Sequence, residues 1–258
     1  MQESADRVYW IESRPQAQGR YAIMERFGEE TREVLPKALS ARSMVQELGG
    51  GSFELDQNGM IVFSDKLDRN VYRLDPTSGE AAVILRSAPD TCYADFACHP
   101  VQDHWIMAIK EDSHEATPET QADSVHNSLI AIDTRKGAEH EIAAGDDFYA
   151  YPRFSPDGTR ICWVQWSHPD MPWTGTRLYV ADWQDGKIGN PRKIAGEKLN
   201  ESISQPRWSP DGTLYFASDH SGYWQLCSYE EKSKTVRALC FEGLMKSELA
   251  IADWLLAR

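Results

Sequence analysis

The sequence lacks any apolar run approaching the ~18 residues that cross a bilayer, and its mean hydropathy is −0.54, so no membrane partner is expected. Its first ten residues, MQESADRVYW, hold two acids and no hydrophobic stretch, unlike a secretory signal. Positive charge is scarce: 27 Lys and Arg stand against 40 Asp and Glu, for a net charge of −13. Phosphate-backbone binding wants the opposite sign, so nucleic acid is not expected either. The five cysteines (Cys92, Cys98, Cys162, Cys227, Cys240) form no CxxC and no zinc spacing. Cys162 lies in the apolar run Ile161-Cys162-Trp163-Val164 and is expected to be a buried, inert thiol. Reduced structural cysteines suit a cytoplasmic protein. GxGxxG and Walker sequences are missing, and His114-Glu115 and His140-Glu141 fail as HExxH because Pro118 and Ala144 stand four places on. No cofactor and no metal is expected.

What remains is a globular composition. Of 258 residues, 41% are apolar and 26% charged, enough to bury a large core in one all-β domain or two ordinary ones. Helical periodicity is absent except for a candidate turn of helix near Leu244 to Ala252. Repetition is prominent instead. Tyr151-Pro-Arg-Phe-Ser-Pro-Asp-Gly158 aligns with Gln205-Pro-Arg-Trp-Ser-Pro-Asp-Gly212, and each leads into a strand-like run, Arg160 to Trp166 and Thr213 to Ser218. Weaker copies are Ser52 to Gly59 and Tyr93 to Pro100. Proline presets φ for a type I turn, while Asp and Gly tolerate the positions where φ becomes positive. The aromatics Phe154 and Trp208 are expected to pack inward, and the β-branched and aromatic residues after the glycine favour a strand.

Further strand and turn signals follow in each unit. Examples are Asn70 to Asp75 with a turn at Pro76 to Gly79, and Arg177 to Asp182 with a turn at Gln184 to Gly186. Four short strands per unit of about 40 to 55 residues is the pattern of a β-propeller blade. The expected fold is therefore all-β: a single propeller domain spanning 1–258, with four-stranded antiparallel blades starting near 8, 52, 93, 151 and 205. Val8 to Leu35 supplies three strands of the first blade, and Ala250 to Leu256 reads as the first strand of a sixth. A closed ring leaves no long exposed edge. Either this ring closes unusually or the chain is the front part of something longer. The second reading is preferred, with an incomplete or open propeller whose edge strands invite self-association.

The Pro-Asp-Gly units are of the TolB-like kind, which speaks to fold and not to function. More specific are Tyr9-Trp-Ile-Glu-Ser-Arg-Pro15, Val45-Gln-Glu-Leu-Gly-Gly-Gly51, Ile109-Lys-Glu-Asp112, Gly145 to Phe154, Trp166-Ser-His-Pro-Asp-Met-Pro-Trp173 and Ser218 to Leu226. In that order they resemble the N-terminal propeller of the prolyl oligopeptidase family of serine peptidases, in its acylaminoacyl-peptidase and dipeptidyl aminopeptidase-like branch. Gln46 and Leu48 depart from that pattern, where a His and a Tyr would be usual. The resemblance implies a parent enzyme in which the propeller precedes an α/β-hydrolase domain and admits short or N-terminally blocked peptides to it. That second domain is expected to be absent from this chain. The nearest string to a G-x-S-x-G nucleophile elbow, Gly50-Gly-Ser-Phe-Glu54, ends in Glu54 and opens a strand, so this chain is expected to have no catalytic residue.

The resemblance also implies residues at a substrate or domain interface: Glu47 in the glycine-rich segment, Glu111 and Asp112 after the strand ending at Ile109, and His168 and Trp173 in a proline-stiffened loop. Relatives with dipeptidyl-peptidase activity hold a substrate's free amine with propeller acids, by charge-assisted hydrogen bonds. Solvated loop acids are the plainer reading of Glu111 and Asp112. Trp166 and Trp173 have a plainer reading too, as wedges between adjacent blades. Asp219 is expected to fix a turn, and Tyr223 and Trp224 to pack between blades. The expected partners are thus a hydrolase domain and a peptide. The competing readings are a free-standing propeller that scaffolds protein binding, favouring basic partners, and a propeller lactonase or glycosidase, for which no convergent acids are evident.

Overall fold

The computed structural model describes residues 2–4, 6–113, 125–239 and 246–252. Among the described residues, twenty strands form five four-stranded antiparallel meanders. Blade 1 contains β1 (Gln2–Ser4), β2 (Arg7–Arg14), β3 (Arg20–Phe27) and β4 (Glu30–Glu33). Blade 2 contains β5 (Phe53–Leu55), β6 (Ile61–Ser64), β7 (Val71–Leu74) and β8 (Ala81–Leu85). Blade 3 contains β9 (Thr91–Cys98), β10 (Trp105–Asp112), β11 (His126–Asp133) and β12 (Ala138–Ala143). Blade 4 contains β13 (Phe148–Phe154), β14 (Arg160–Trp166), β15 (Arg177–Gln184) and β16 (Lys187–Ala195). Blade 5 contains β17 (Ile203–Trp208), β18 (Leu214–Ser218), β19 (Gln225–Glu230) and β20 (Thr235–Ala238). The first strands of the blades adjoin one another in the order β1, β5, β9, β13, β17 around a hub. Among the described residues the apolar clusters join blade 1 to 2, 2 to 3, and 3 to 4 and 5, but none joins blade 5 to blade 1, the arrangement of an open propeller.

The Pro-Asp-Gly turns are built as their residues dictate. Ser155 N donates to Arg160 O at 2.9 Å, Gly158 N to Ser155 O at 2.8 Å, and the Asp157 carboxylate accepts from Thr159 N at 3.1 Å. Gly158 sits at φ +70°, which only glycine adopts without strain. The Ser209–Gly212 turn repeats this pattern, and in blade 2 Asp56 takes the serine's place. In blade 3 the substitute is a histidine. The Nδ1 of His99 accepts from Val101 N and Gln102 N, which leaves Nε2 to donate to Gly158 O of the next blade at 3.1 Å. Burial holds the His99 imidazole below its ordinary pKa and favours this neutral tautomer.

Apolar side chains from neighbouring blades fill the spaces between them. One cluster joins blades 3, 4 and 5 around Tyr149, Trp163, Leu178 and Phe216. A second joins blades 1 and 2 around Tyr9, Ile23 and Phe63, and a third joins blades 2 and 3 around Val62, Phe96 and Ile106. A polar tie crosses the first joint. The buried Glu25 accepts from Arg7 (2.6 Å), Tyr9 (2.7 Å) and Arg32 (2.6 Å), and Arg32 also donates to Pro76 O of blade 2 at 2.8 Å.

Several expectations need correction. The first blade starts at Gln2 and not near residue 8, because Gln2–Ser4 pairs with Arg7–Tyr9 as a fourth strand. Residues 246–252 contain no helix, and 250–252 are not in a strand. The rest of the candidate helical turn and of the sixth-blade strand, Trp254 included, lies outside the described residues, as do His114, Glu115, Pro118 and Cys240. Tyr223 is exposed instead of packed between blades, since it lies at a turn tip closed by Gly222 N donating to Asp219 O. Trp166 is buried and stacks on Phe148 at 5.3 Å, whereas Trp173 is half exposed. The described cysteines are free thiols.

Candidate functional site

Alternation of strand direction puts the Pro-Asp-Gly turns on one face of the propeller. The loops between second and third strands, and the connections from one blade to the next, fall on the other. All five residues singled out from the sequence belong to this second face. Glu47 lies on the connection into blade 2, Glu111 and Asp112 end β10, and His168 and Trp173 lie in the loop after β14.

The structure brings four of them into two neighbourhoods, and Trp173 lies further along the loop that carries His168. In the first, Gln46 N donates to Glu111 Oε2 at 2.7 Å, holding the connection against β10. Gln46 and Glu47 both have positive φ (55° and 57°), so the chain turns sharply where its acid is displayed. Burial pushes the Glu111 carboxyl above its ordinary pKa. The Gln46 amide opposes that shift, the Glu47 charge adds to it, and Arg69 acts against it. Glu47 itself is exposed. Two carboxylates in mutual range favour a cation between them.

The second neighbourhood is a cleft of about 340 Å³, lined by Lys110, Asp112, Asn127, Asp146 and Asp147 among others. Asp146 accepts from Ser167 Oγ and from Arg177 Nη2, each at 2.6 Å, and from Gln165 Nε2. Asp147 accepts from His168 N at 2.8 Å, and Asn127 Nδ2 donates to Asp147 O at 2.9 Å. Lys110 lies 3.6 Å from Asp112 and 2.7 Å from Glu139. The imidazole of His168 packs edge-on against Phe148 at 5.1 Å. Beyond it, Asp170 is buried and accepts from Leu199 N at 3.1 Å, which pins the loop carrying Trp173. Trp173 is 50% exposed.

Asp146 and Asp147 escaped the sequence reading as site residues, although the Gly145–Phe154 segment carrying them was matched. The doubled acid after a glycine was the available signal. Among the described residues no three His, Cys, Asp or Glu side chains converge as metal ligands. The face offers carboxylates for a cation and an exposed indole for an apolar surface.

No family model matches the chain. Solved structures do. One is a puromycin-hydrolyzing peptidase from Mycobacterium tuberculosis, 32% identical over 98% of this chain, with a TM-score of 0.86. The chain resembles the N-terminal propeller of prolyl oligopeptidase-family peptidases. A puromycin hydrolase is 26% identical over 93% of the chain, with a TM-score of 0.81. Among curated proteins, dipeptidyl-peptidase 5 from Porphyromonas gingivalis is 26% identical over 118 residues, 45% of this chain and 17% of that protein. The chain spans 40% of the mycobacterial peptidase and 38% of the puromycin hydrolase. TolB from Acinetobacter baumannii, at 13% identity and a TM-score of 0.56, shares the fold alone.

Proposed function

We propose that the chain is the non-catalytic propeller portion of a prolyl-oligopeptidase-like serine peptidase. In this reading the loop-rich face lies towards an α/β-hydrolase domain and limits entry to short or N-terminally blocked peptides. Glu47 and Glu111 attract a substrate's ammonium group, and Trp173 supplies apolar contact to the neighbouring domain or the peptide. The likeness to a puromycin-hydrolyzing peptidase over 98% of the chain is the observation that carries the reading. Bond cleavage falls to a domain other than this one, so the propeller contributes steric exclusion and local electrostatics.

Two measurements test it. The purified chain is expected to show no turnover of aminoacyl or acyl-aminoacyl esters; activity that copurifies with the chain through successive columns would refute the assignment. In the longer protein of which this reading makes it part, Trp173→Ala and Glu111→Gln are expected to change the length and N-terminal preference of cleaved peptides while leaving a small ester substrate unaffected. Equal effects on both substrates would argue against a gating role.

A further inference from the structure

The turns between first and second strands close on side-chain acceptors, and one of them differs in kind. In blades 2, 4 and 5 an aspartate holds the amides inside the turn. Asp56 Oδ1 accepts from Asn58 N at 2.8 Å and Met60 N at 3.0 Å, Asp157 Oδ1 from Thr159 N at 3.1 Å, and Asp211 Oδ1 from Thr213 N at 3.0 Å. In blade 3 the acceptor is His99 Nδ1, 3.1 Å from Val101 N and 2.9 Å from Gln102 N. Carboxylates ordinarily titrate at about pH 4, an imidazole close to neutrality. Among the described turns of this kind, only that of blade 3 has an acceptor that becomes a donor in mildly acid solution.

The ring cannot answer a proton by turning in place. His99 is buried, its Nε2 donates to Gly158 O at 3.1 Å, and it fills the hollow at that glycine. Phe154 and Trp183 pack beside it, with ring centroids 4.7 and 6.2 Å away. A half-turn about χ2 would put carbon where each nitrogen stood and restore neither bond. A proton on Nδ1 therefore faces two backbone N–H groups, and both lose their acceptor.

The surrounding charges do not compensate in contact. They are Asp103 and His104 from the ring's own turn, Asp157 from the facing turn, Asp185 from the turn after β15, and Arg73 from blade 2. Asp157 accepts from Ser155 Oγ and Thr159 N, Asp103 lies 3.8 Å from His104, Asp185 accepts from Gln102 Nε2 at 3.2 Å, and Arg73 donates to Asp103 O at 2.7 Å. Among the described residues no carboxylate hydrogen-bonds the ring. Burial holds the imidazole below its ordinary pKa; the Gly158 bond opposes that shift, His104 adds to it, and Asp185 opposes it.

We propose that His99 is an acid-released latch between blades 3 and 4. A proton taken from solvent at Nδ1 frees Val101 N and Gln102 N, and the ring leaves its seat at Gly158. The apolar cluster shared by blades 3, 4 and 5 stays in place, so the joint opens at its turn face while the blades remain together. The sign follows from the lowered pKa: the released ring takes the proton first. The latch contributes fully above the ordinary histidine value and is lost as pH falls towards the folded-state value. The loop face takes no part, so this inference is independent of the gating reading.

The test is amide hydrogen exchange of the 258-residue chain, read by NMR as protection factors between about pH 7.5 and about pH 5. Protection at Val101 and Gln102 is expected to fall by about tenfold or more, while Thr213, held by Asp211 in blade 5, keeps its protection. The Cε1 proton of His99 is expected to titrate at lower pH than in the urea-unfolded chain. His99→Asn, whose amide oxygen accepts without titrating, should protect Val101 and Gln102 equally at both pH values. His99→Asp, which copies Asp56, should do the same and serves if the first variant does not fold. Unchanged protection at Val101 and Gln102, an equal loss at Thr213, or the same acid loss in either folded variant would overturn the proposal.

Discussion

Replacing Glu25 by Gln probes how far a buried polar tie, and not apolar packing alone, fastens blade 1 to blade 2. Glu25 is 2% exposed and accepts three hydrogen bonds, from Arg7, Tyr9 and Arg32. Glutamine keeps the shape but has one acceptor oxygen, and its amide must face a donor. At least one charge-assisted bond is lost and another weakened, each contributing about 1.5–3 kcal/mol. Arg7 and Arg32 have 37% and 50% of their side-chain area exposed, so they recover part of this by hydration, while the Tyr9 hydroxyl does not. The expected loss is about 3 kcal/mol, or roughly 6–12 °C in Tm for a chain this size. The pH dependence gives an internal control. Burial pushes Glu25 up, but the hydrogen bonds from Arg32, Tyr9 and Arg7 outweigh it and hold the carboxyl below its ordinary value. A depressed carboxyl contributes stability that is present above the ordinary carboxylate pKa and lost as pH falls through the folded-state value. The gap between the wild type and Glu25→Gln should therefore be widest near neutrality and shrink in acid. Urea unfolding followed by tryptophan fluorescence measures it. A difference below about 0.5 kcal/mol at neutral pH, or one that grows in acid, would refute the reasoning.

Three further outcomes are expected. Gly158→Ala should destabilise the chain by about 3 kcal/mol, since it combines a positive φ with a methyl placed 2.2 Å from the His99 ring; an unchanged urea midpoint would contradict this. Cys162 should resist a thiol reagent in the native chain, because burial pushes its pKa to about 12, and rapid labelling without unfolding would count against it. Glu54→Gln should raise Tm at pH 8 but not at pH 4. The wild-type carboxyl, with its pKa raised by burial, is neutral in the folded state at the lower pH and carries a penalty once ionised.

The repeated Ser-Pro-Asp-Gly turns made the blades legible in the sequence, because one local hydrogen-bond pattern recurs wherever those residues do. Gln2–Ser4 was not legible. Three residues carry no periodicity, and only pairing with β2 makes them a strand. The loop-face residues were found through motif likeness, but their grouping was not, since Gln46 and Glu111 meet across 65 positions of chain. The hub was invisible for the same reason. Asp95 and Arg153 lie 58 residues apart, and nothing local to either marks them as a pair. His99 replacing serine in a turn was readable as an oddity, yet its bond to the next blade was not.

That bond has a consequence for how the molecule can be taken apart. Gly158 leaves a hollow that the His99 ring occupies, and Gly186 leaves another filled by the Trp105 indole. Both hollows belong to blade 4 and both plugs to blade 3, so this joint is keyed in one direction. Exchanging blades 4 and 5, or duplicating blade 3 elsewhere in the array, would set a ring against the wrong turn. Two fragments severed at the 3–4 junction, by contrast, should find each other again in solution.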